Sequence, residues 1–76
     1  MKGDWISIDH MQYLGVTVTI YRIAGSGKKA FHAEYEGMVY TTTGSHNDQT
    51  LRSVYSAIER MKRLDFERVE NEENYE

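Results

Sequence analysis

The 76-residue chain contains no cysteine and no proline. Without cysteine there is neither a disulfide staple nor a thiolate metal site. Without proline there is no rigid linker and no polyproline motif. No apolar run approaches the roughly 20 residues needed to span a bilayer. The opening MKGDWISIDH lacks the apolar stretch of a signal peptide and is interrupted by Asp4 and Asp9. These absences predict a soluble, cytoplasmic protein with no membrane part. A mass of 8.9 kDa leaves room for one domain. Domains near this size bury only about 60% of the surface their unfolded chains expose, so the core must be thin.

What is present is unevenly charged. Residues 1–63 carry eight Lys/Arg against six Asp/Glu, while residues 64–76 carry Arg68 against six acids, for a chain total of −3. This divides the chain into an α+β domain over residues 1–66 and an acidic, flexible tail over residues 67–76. An acidic segment of this kind is suited to a basic partner surface.

Period-two patterning dominates the first half. Leu14, Val16, Val18 and Ile20 alternate with Thr17, Thr19 and Tyr21, which predicts a half-buried strand. The run Gly25-Ser26-Gly27-Lys28 reads as a turn. Phe31, Ala33 and Tyr35 then alternate with His32 and Glu34. Glu36 and Gly37 make a tight-turn signal before Met38, Val39 and Tyr40. A loop over residues 25–28 sets Arg22 against Phe31, Ile20 against Ala33, Val18 against Tyr35 and Tyr21 against His32. A two-residue turn at 36–37 sets Tyr35 against Met38 and Ala33 against Tyr40. Opposed residues share a face, so Val16, Val18, Ile20, Phe31, Ala33, Tyr35, Met38 and Tyr40 form one apolar face.

After Gly44 the period changes. Leu51, Val54, Tyr55, Ile58 and Met61 follow helical spacing with one apolar stripe. Ser45, Asn47 and Asp48 are capping candidates, and Glu59 with Arg63 is ordered for an i,i+4 pair. The stripe weakens at Lys62 and Asp65, which predicts a helix end between Leu64 and Arg68. At the other end, residues 5–8 read as a short strand and residues 9–12 as its connection. The expected fold is α+β: an antiparallel sheet of three to four strands with one C-terminal helix packed on one face, in the order β-β-β-α or β-β-β-β-α.

Catalytic and cofactor chemistry finds little footing. Gly25-Ser26-Gly27-Lys28-Lys29-Ala30 fits a loose dinucleotide pattern, but it leads into a strand where that chemistry needs a helix N-terminus. The phosphate-binding P-loop fails as well, because Lys29 stands where Ser or Thr is required. His10, His32 and His46 have no metal-ligand spacing. Ser45, His46 and Asp48 are neighbours in one turn, whereas a nucleophilic triad converges from separated elements. No enzyme activity, cofactor or metal is expected.

Two resemblances concern topology. Over residues 14–66, the β-β-β-α order with a basic helix resembles the C-terminal part of a double-stranded-RNA-binding domain. It implies phosphate contacts from Lys28, Lys29, Arg52, Arg60 and Arg63. The family's lysine-rich helix start is here His46-Asn47-Asp48-Gln49-Thr50, where Asp48 opposes phosphate, so nucleic acid is not the expected partner. Residues 44–51 followed by Val54-Tyr55-Ser56-Ala57-Ile58 are similar to a HicB-like antitoxin domain, which implies, as an alternative function, that this chain is an antitoxin-like partner domain. A third resemblance is of profile. In size, acidity and lack of cysteine the chain resembles phage anti-CRISPR proteins, which occupy a nucleic-acid-binding surface on their target.

The resulting expectation is a non-catalytic protein-binding module, an anti-CRISPR-like phage or mobile-element inhibitor that occludes a host nucleic-acid-binding protein. With one helix available, the sheet face carrying Thr17, Thr19, Tyr21, Ile23, His32, Glu34, Val39 and Thr41 is left open to a host protein or to a second copy of the chain. Tyr21, His32 and Glu34 are the expected contacts, with Glu70, Glu72 and Glu73 steering from the tail. Trp5, Tyr13, Tyr21 and Tyr75 are aromatics without an assigned place in the core.

Overall fold

A computed structural model describes the backbone of residues 4–73 and the side chains of residues 4–68. Four strands, β1 (Trp5–Tyr13), β2 (Val16–Ile23), β3 (Lys29–Tyr35) and β4 (Met38–Gly44), precede one helix, α1 (Asp48–Glu73). The strands form a single antiparallel sheet in the order β1-β2-β3-β4. The architecture is the four-strand form of the expected α+β fold.

Two hairpins close on two-residue turns. Tyr13 pairs with Val16 across Leu14 and Gly15, and Tyr35 pairs with Met38 across Glu36 and Gly37. All four turn residues have positive φ, from 50° to 81°. This is the mirror-type turn whose twist matches that of the flanking strands. Leu14 therefore belongs to a turn and is 51% exposed, where alternation had placed it in a strand beside Val16. Tyr13 takes the inward position instead.

The β2–β3 connection differs from expectation by two residues. The ladder pairs Val18 with Ala33, Ile20 with Phe31 and Arg22 with Lys29. A turn over residues 23–26 accounts for the shift. The Ser26 amide donates to the Ile23 carbonyl at 3.1 Å, and Gly25 has φ 78°, the conformation a type II turn requires at its third residue. Because the slip is even, each side chain keeps its face but changes its cross-strand partner. Tyr21 stands opposite Ala30, and His32 lies between Thr19 and Thr41.

Strand β1 runs past residue 8 to Tyr13, with a bulge between Ser7 and Asp9. One extra residue reverses the alternation. Trp5 and Ser7 share the face of Ile23 and Tyr21, whereas Asp9, Met11 and Tyr13 share the face of Ile20, Val18 and Val16. The segment read as a connection is thus strand, and Met11 and Tyr13 pack against the core.

The helix starts on Asn47. Its Oδ1 accepts from the Thr50 amide at 2.9 Å, and its carbonyl accepts from the Leu51 amide at 3.0 Å, so Asn47 is the cap among the three candidates. Val54 and Ile58 are fully buried with Val16, Val18, Ile20, Phe31 and Ala33 in one cluster. The helix rests over β3 and β4. Tyr13 stacks on Tyr55 with ring centroids 4.3 Å apart, and its hydroxyl donates to Glu59 at 2.6 Å. Glu59 is thereby directed to the sheet and not to Arg63. Lys62, which interrupts the apolar stripe, faces the sheet too: its Nζ donates to the Leu14 carbonyl at 3.0 Å and lies 5.2 Å from the Tyr35 ring centroid. The helix passes the expected end between Leu64 and Arg68 and reaches Glu73. No glycine or proline occurs there to stop it, and Asp65 pairs with Arg68 one turn on. At about 1.5 Å per residue the helix outruns the sheet, and Phe66 beyond the core is 65% exposed.

Two outcomes follow from this packing. Ile58→Ala should cost about 2–5 kcal/mol, by transfer and cavity terms, and Ile58→Asp should leave no cooperative thermal transition by circular dichroism. Retained melting in Ile58→Asp would contradict the one-helix core. The second outcome concerns pH. The bond to Glu59, followed by removal from water, raises the Tyr13 pKa. Removal from water, followed by the charge of Asp65, raises that of Tyr35. A hydroxyl whose pKa rises on folding stabilises the fold fully below its unfolded value of about 10, and the contribution is lost as pH climbs through the folded value. The fall in melting temperature above pH ~10 should therefore be shallower in Tyr13→Phe and Tyr35→Phe; slopes matching the parent would contradict these contacts.

Candidate functional site

Among the described residues the sheet has one helix, so one face is packed and no described element covers the other. Strand alternation and the register assign Trp5, Ser7, Tyr21, Ile23, His32, Glu34, Val39 and Thr41 to the open face. The bulge in β1 is what brings Trp5 there. Its ring centroid lies 5.7 Å from that of Tyr21, with the planes inclined at 43°. Trp5 is 45% exposed, and Ile23 is its cross-strand neighbour. These side chains make an aromatic and aliphatic corner.

The centre of the face is polar. His32 Nδ1 lies 2.8 Å from the Thr41 hydroxyl, and Gln12 Nε2 donates to the Thr17 hydroxyl at 2.6 Å. Ala30 is buried between Tyr21 and Thr43, because a methyl group is overtopped by taller neighbours. Glu34 faces outward at the far corner opposite Val39. Tyr21, His32 and Glu34 therefore share the expected face, but Tyr21 neighbours Trp5 and Ala30 where His32 was expected. The side chains of Glu70, Glu72 and Glu73, and the whole of Tyr75, lie outside the described residues.

The five cations of the nucleic-acid reading are divided. Arg52 and Arg60 line a groove between α1 and β4. Lys28 is in the β2–β3 loop, and Lys29 begins β3 opposite Arg22 and Gly44. Arg63 is exposed on the helix outside the groove lining. Of the histidines, His46 sets its ring edge-on to Phe31, centroids 5.6 Å apart. Among the described residues, no group of three or more His, Asp or Glu is arranged to hold a metal ion. No described helix is long and apolar enough to cross a membrane.

Sequence reasoning missed the pairing of Trp5 with Tyr21, since a bulge leaves no trace in simple alternation. It also missed the groove. The available signal was the row Arg52, Ser56 and Arg60, which repeats every four residues beside the buried stripe.

No family model, curated protein or solved structure matches this chain.

If the aromatic corner serves contact and not folding, Tyr21→Ala should lower stability by about 1 kcal/mol or less. Acrylamide should quench Trp5 fluorescence readily in the parent. Loss of folding in Tyr21→Ala, or a shielded Trp5, would reassign the corner to the core.

Proposed function

We propose that the chain is a non-catalytic protein-binding module that acts by covering a surface of a larger protein. The observation that carries this reading is the open face with its half-exposed Trp5 next to Tyr21. An antiparallel sheet commonly faces water on one side, and threonines suit that role. Tryptophan and tyrosine at a face do more: they supply large contact area with a polar end, and they dominate binding energy where they occur in interfaces. Trp5, Tyr21 and Ile23 anchor the contact, while His32 and Glu34 supply polar contacts around it.

The sharper form of the proposal is an anti-CRISPR-like inhibitor from a phage or mobile element, occupying the nucleic-acid-binding surface of a host protein. Its support is charge: six of the last 13 residues are acidic. Such a segment approximates the sign of a nucleic-acid backbone, and it raises association rates with a basic surface.

The test is capture from host lysate on immobilised protein, with nuclease treatment, followed by binding kinetics on the captured partner. Capture should survive nuclease. Tyr21→Ala and Trp5→Ala should speed dissociation by tenfold or more, on the order of a hot-spot loss. Truncation after Arg68 should slow association and flatten its salt dependence. Capture abolished by nuclease, or variants that bind like the parent, would contradict the reading. Self-association lost in Tyr21→Ala would make a second copy the occupant of the face.

A further inference from the structure

Strand β4 is an edge of the sheet, and α1 runs beside it to leave a groove of about 700 Å³. Met38, Tyr40, Ala57, Met61 and Leu64 are among its apolar lining residues. Its charged lining residues are Arg52 and Arg60, and no Asp or Glu lines it. Neither arginine has an ion-pair partner among the described residues. A half-apolar groove with unneutralised charge of one sign fits an occupant of the opposite sign.

The strand edge defines the occupant further. Tyr35 and Met38 close a two-residue hairpin, and such a closing pair exchanges both of its backbone hydrogen bonds. Alternation along the ladder then points the N–H and C=O groups of Val39, Thr41 and Thr43 away from β3. Val39 is also 58% exposed. A free row of backbone donors and acceptors is completed by another strand. A second copy of this chain fits poorly. Pairing β4 with its own twofold mate would bring Arg52 and Arg60 of both copies to one seam, whose lining holds no acid to separate them.

We propose that the groove between β4 and α1 binds an extended acidic segment of another protein, which adds to the sheet at β4 and places carboxylates on Arg52 and Arg60. The spacing sets the motif. Eight helical residues separate the two arginines by about 12 Å along the axis. Strand residues on one face recur every ~6.7 Å, so acids four apart span about 13 Å. The residue midway between them lies level with Ser56 and Ala57, across from Tyr40, and is apolar to cover the Ala57 methyl and the Tyr40 ring. The recognised pattern is acid, any residue, apolar, any residue, acid. A nucleic acid supplies charge but neither the amide ladder nor the apolar middle. This site lies at the β4 edge on the helix side, apart from the Trp5–Tyr21 corner, and Tyr21 has no part in it.

The test is a titration of isotope-labelled protein with the capped peptide Thr-Glu-Thr-Val-Thr-Glu-Thr, followed by NMR. A peptide with both Glu replaced by Lys, and oligothymidylate, serve as comparisons. The Glu peptide should shift the amides of Val39, Thr41 and Thr43 and the side chains of Arg52 and Arg60. It should bind at least about tenfold more tightly than the Lys peptide. Arg52→Glu and Arg60→Glu are exposed changes, and each should weaken it by about tenfold. The double variant should prefer the Lys peptide, a reversal that loss of folding cannot imitate. Tyr21→Ala should bind like the parent, so the open-face reading and this one fail separately. Equal binding of both peptides, shifts elsewhere, or no binding at millimolar peptide would overturn the proposal. Oligothymidylate that displaces the Glu peptide would make the groove a polyanion site. Shifts of β4 with protein concentration alone would give it to a second copy.

Discussion

The burial of Val54 and Ile58 in one cluster with Val16, Val18, Ile20 and Phe31 is the contact on which the molecule rests. One amphipathic helix carries one apolar stripe, and a stripe can cover one face of one sheet. Every other feature follows from that limit. The hairpin turns set which side chains meet the helix. Around the cluster, Tyr13 on Tyr55 and Glu59, Tyr35 on Asp65, and Lys62 on the Leu14 carbonyl fix the helix at its margins through polar ends of partly buried side chains. Deep in a core such groups would need complete hydrogen bonding. At a margin they meet both the sheet and water.

The same limit leaves surface over. Among the described residues no layer covers the second face of the sheet, and β1 and β4 are its edges. β1 manages its edge with a bulge, a device that breaks regular pairing with another chain. β4 has none and instead lies under the overhang of the helix, with arginines above it. The two sides of the molecule thus differ in chemistry. One carries an aromatic corner beside a threonine-rich centre, and the other a cationic groove beside a strand edge.

Much of this was legible in the sequence, and the reasons for the rest are local. The β3–β4 hairpin was readable because Gly37 follows Glu36 between two alternating runs, and its register follows from a two-residue turn. The helix was readable from Leu51, Val54, Tyr55, Ile58 and Met61. The β2–β3 register was not, because a type II turn at Gly25 moved the pairing by two residues without moving any side chain to the other face. Leu14 looked like a strand residue because leucine is uncommon at positive φ. In β1, the bulge reversed the period between Trp5 and Met11, so no single alternation fitted the segment. The helix end was missed because the stripe fades where the sheet ends, although nothing in the backbone chemistry stops the helix there. The candidate site shows the same division: Tyr21, His32 and Glu34 were placed on the right face, but Trp5 arrived only through the bulge.

The most direct measurement is hydroxyl-radical footprinting, read by mass spectrometry, on the free protein and on its complex with the captured partner. A one-sided core with a contact face on its open side predicts high reactivity at Trp5 and Tyr21 in the free protein and strong protection of both in the complex. Low reactivity of Trp5 in the free protein, or reactivity at Trp5 and Tyr21 unchanged by the partner, would contradict it.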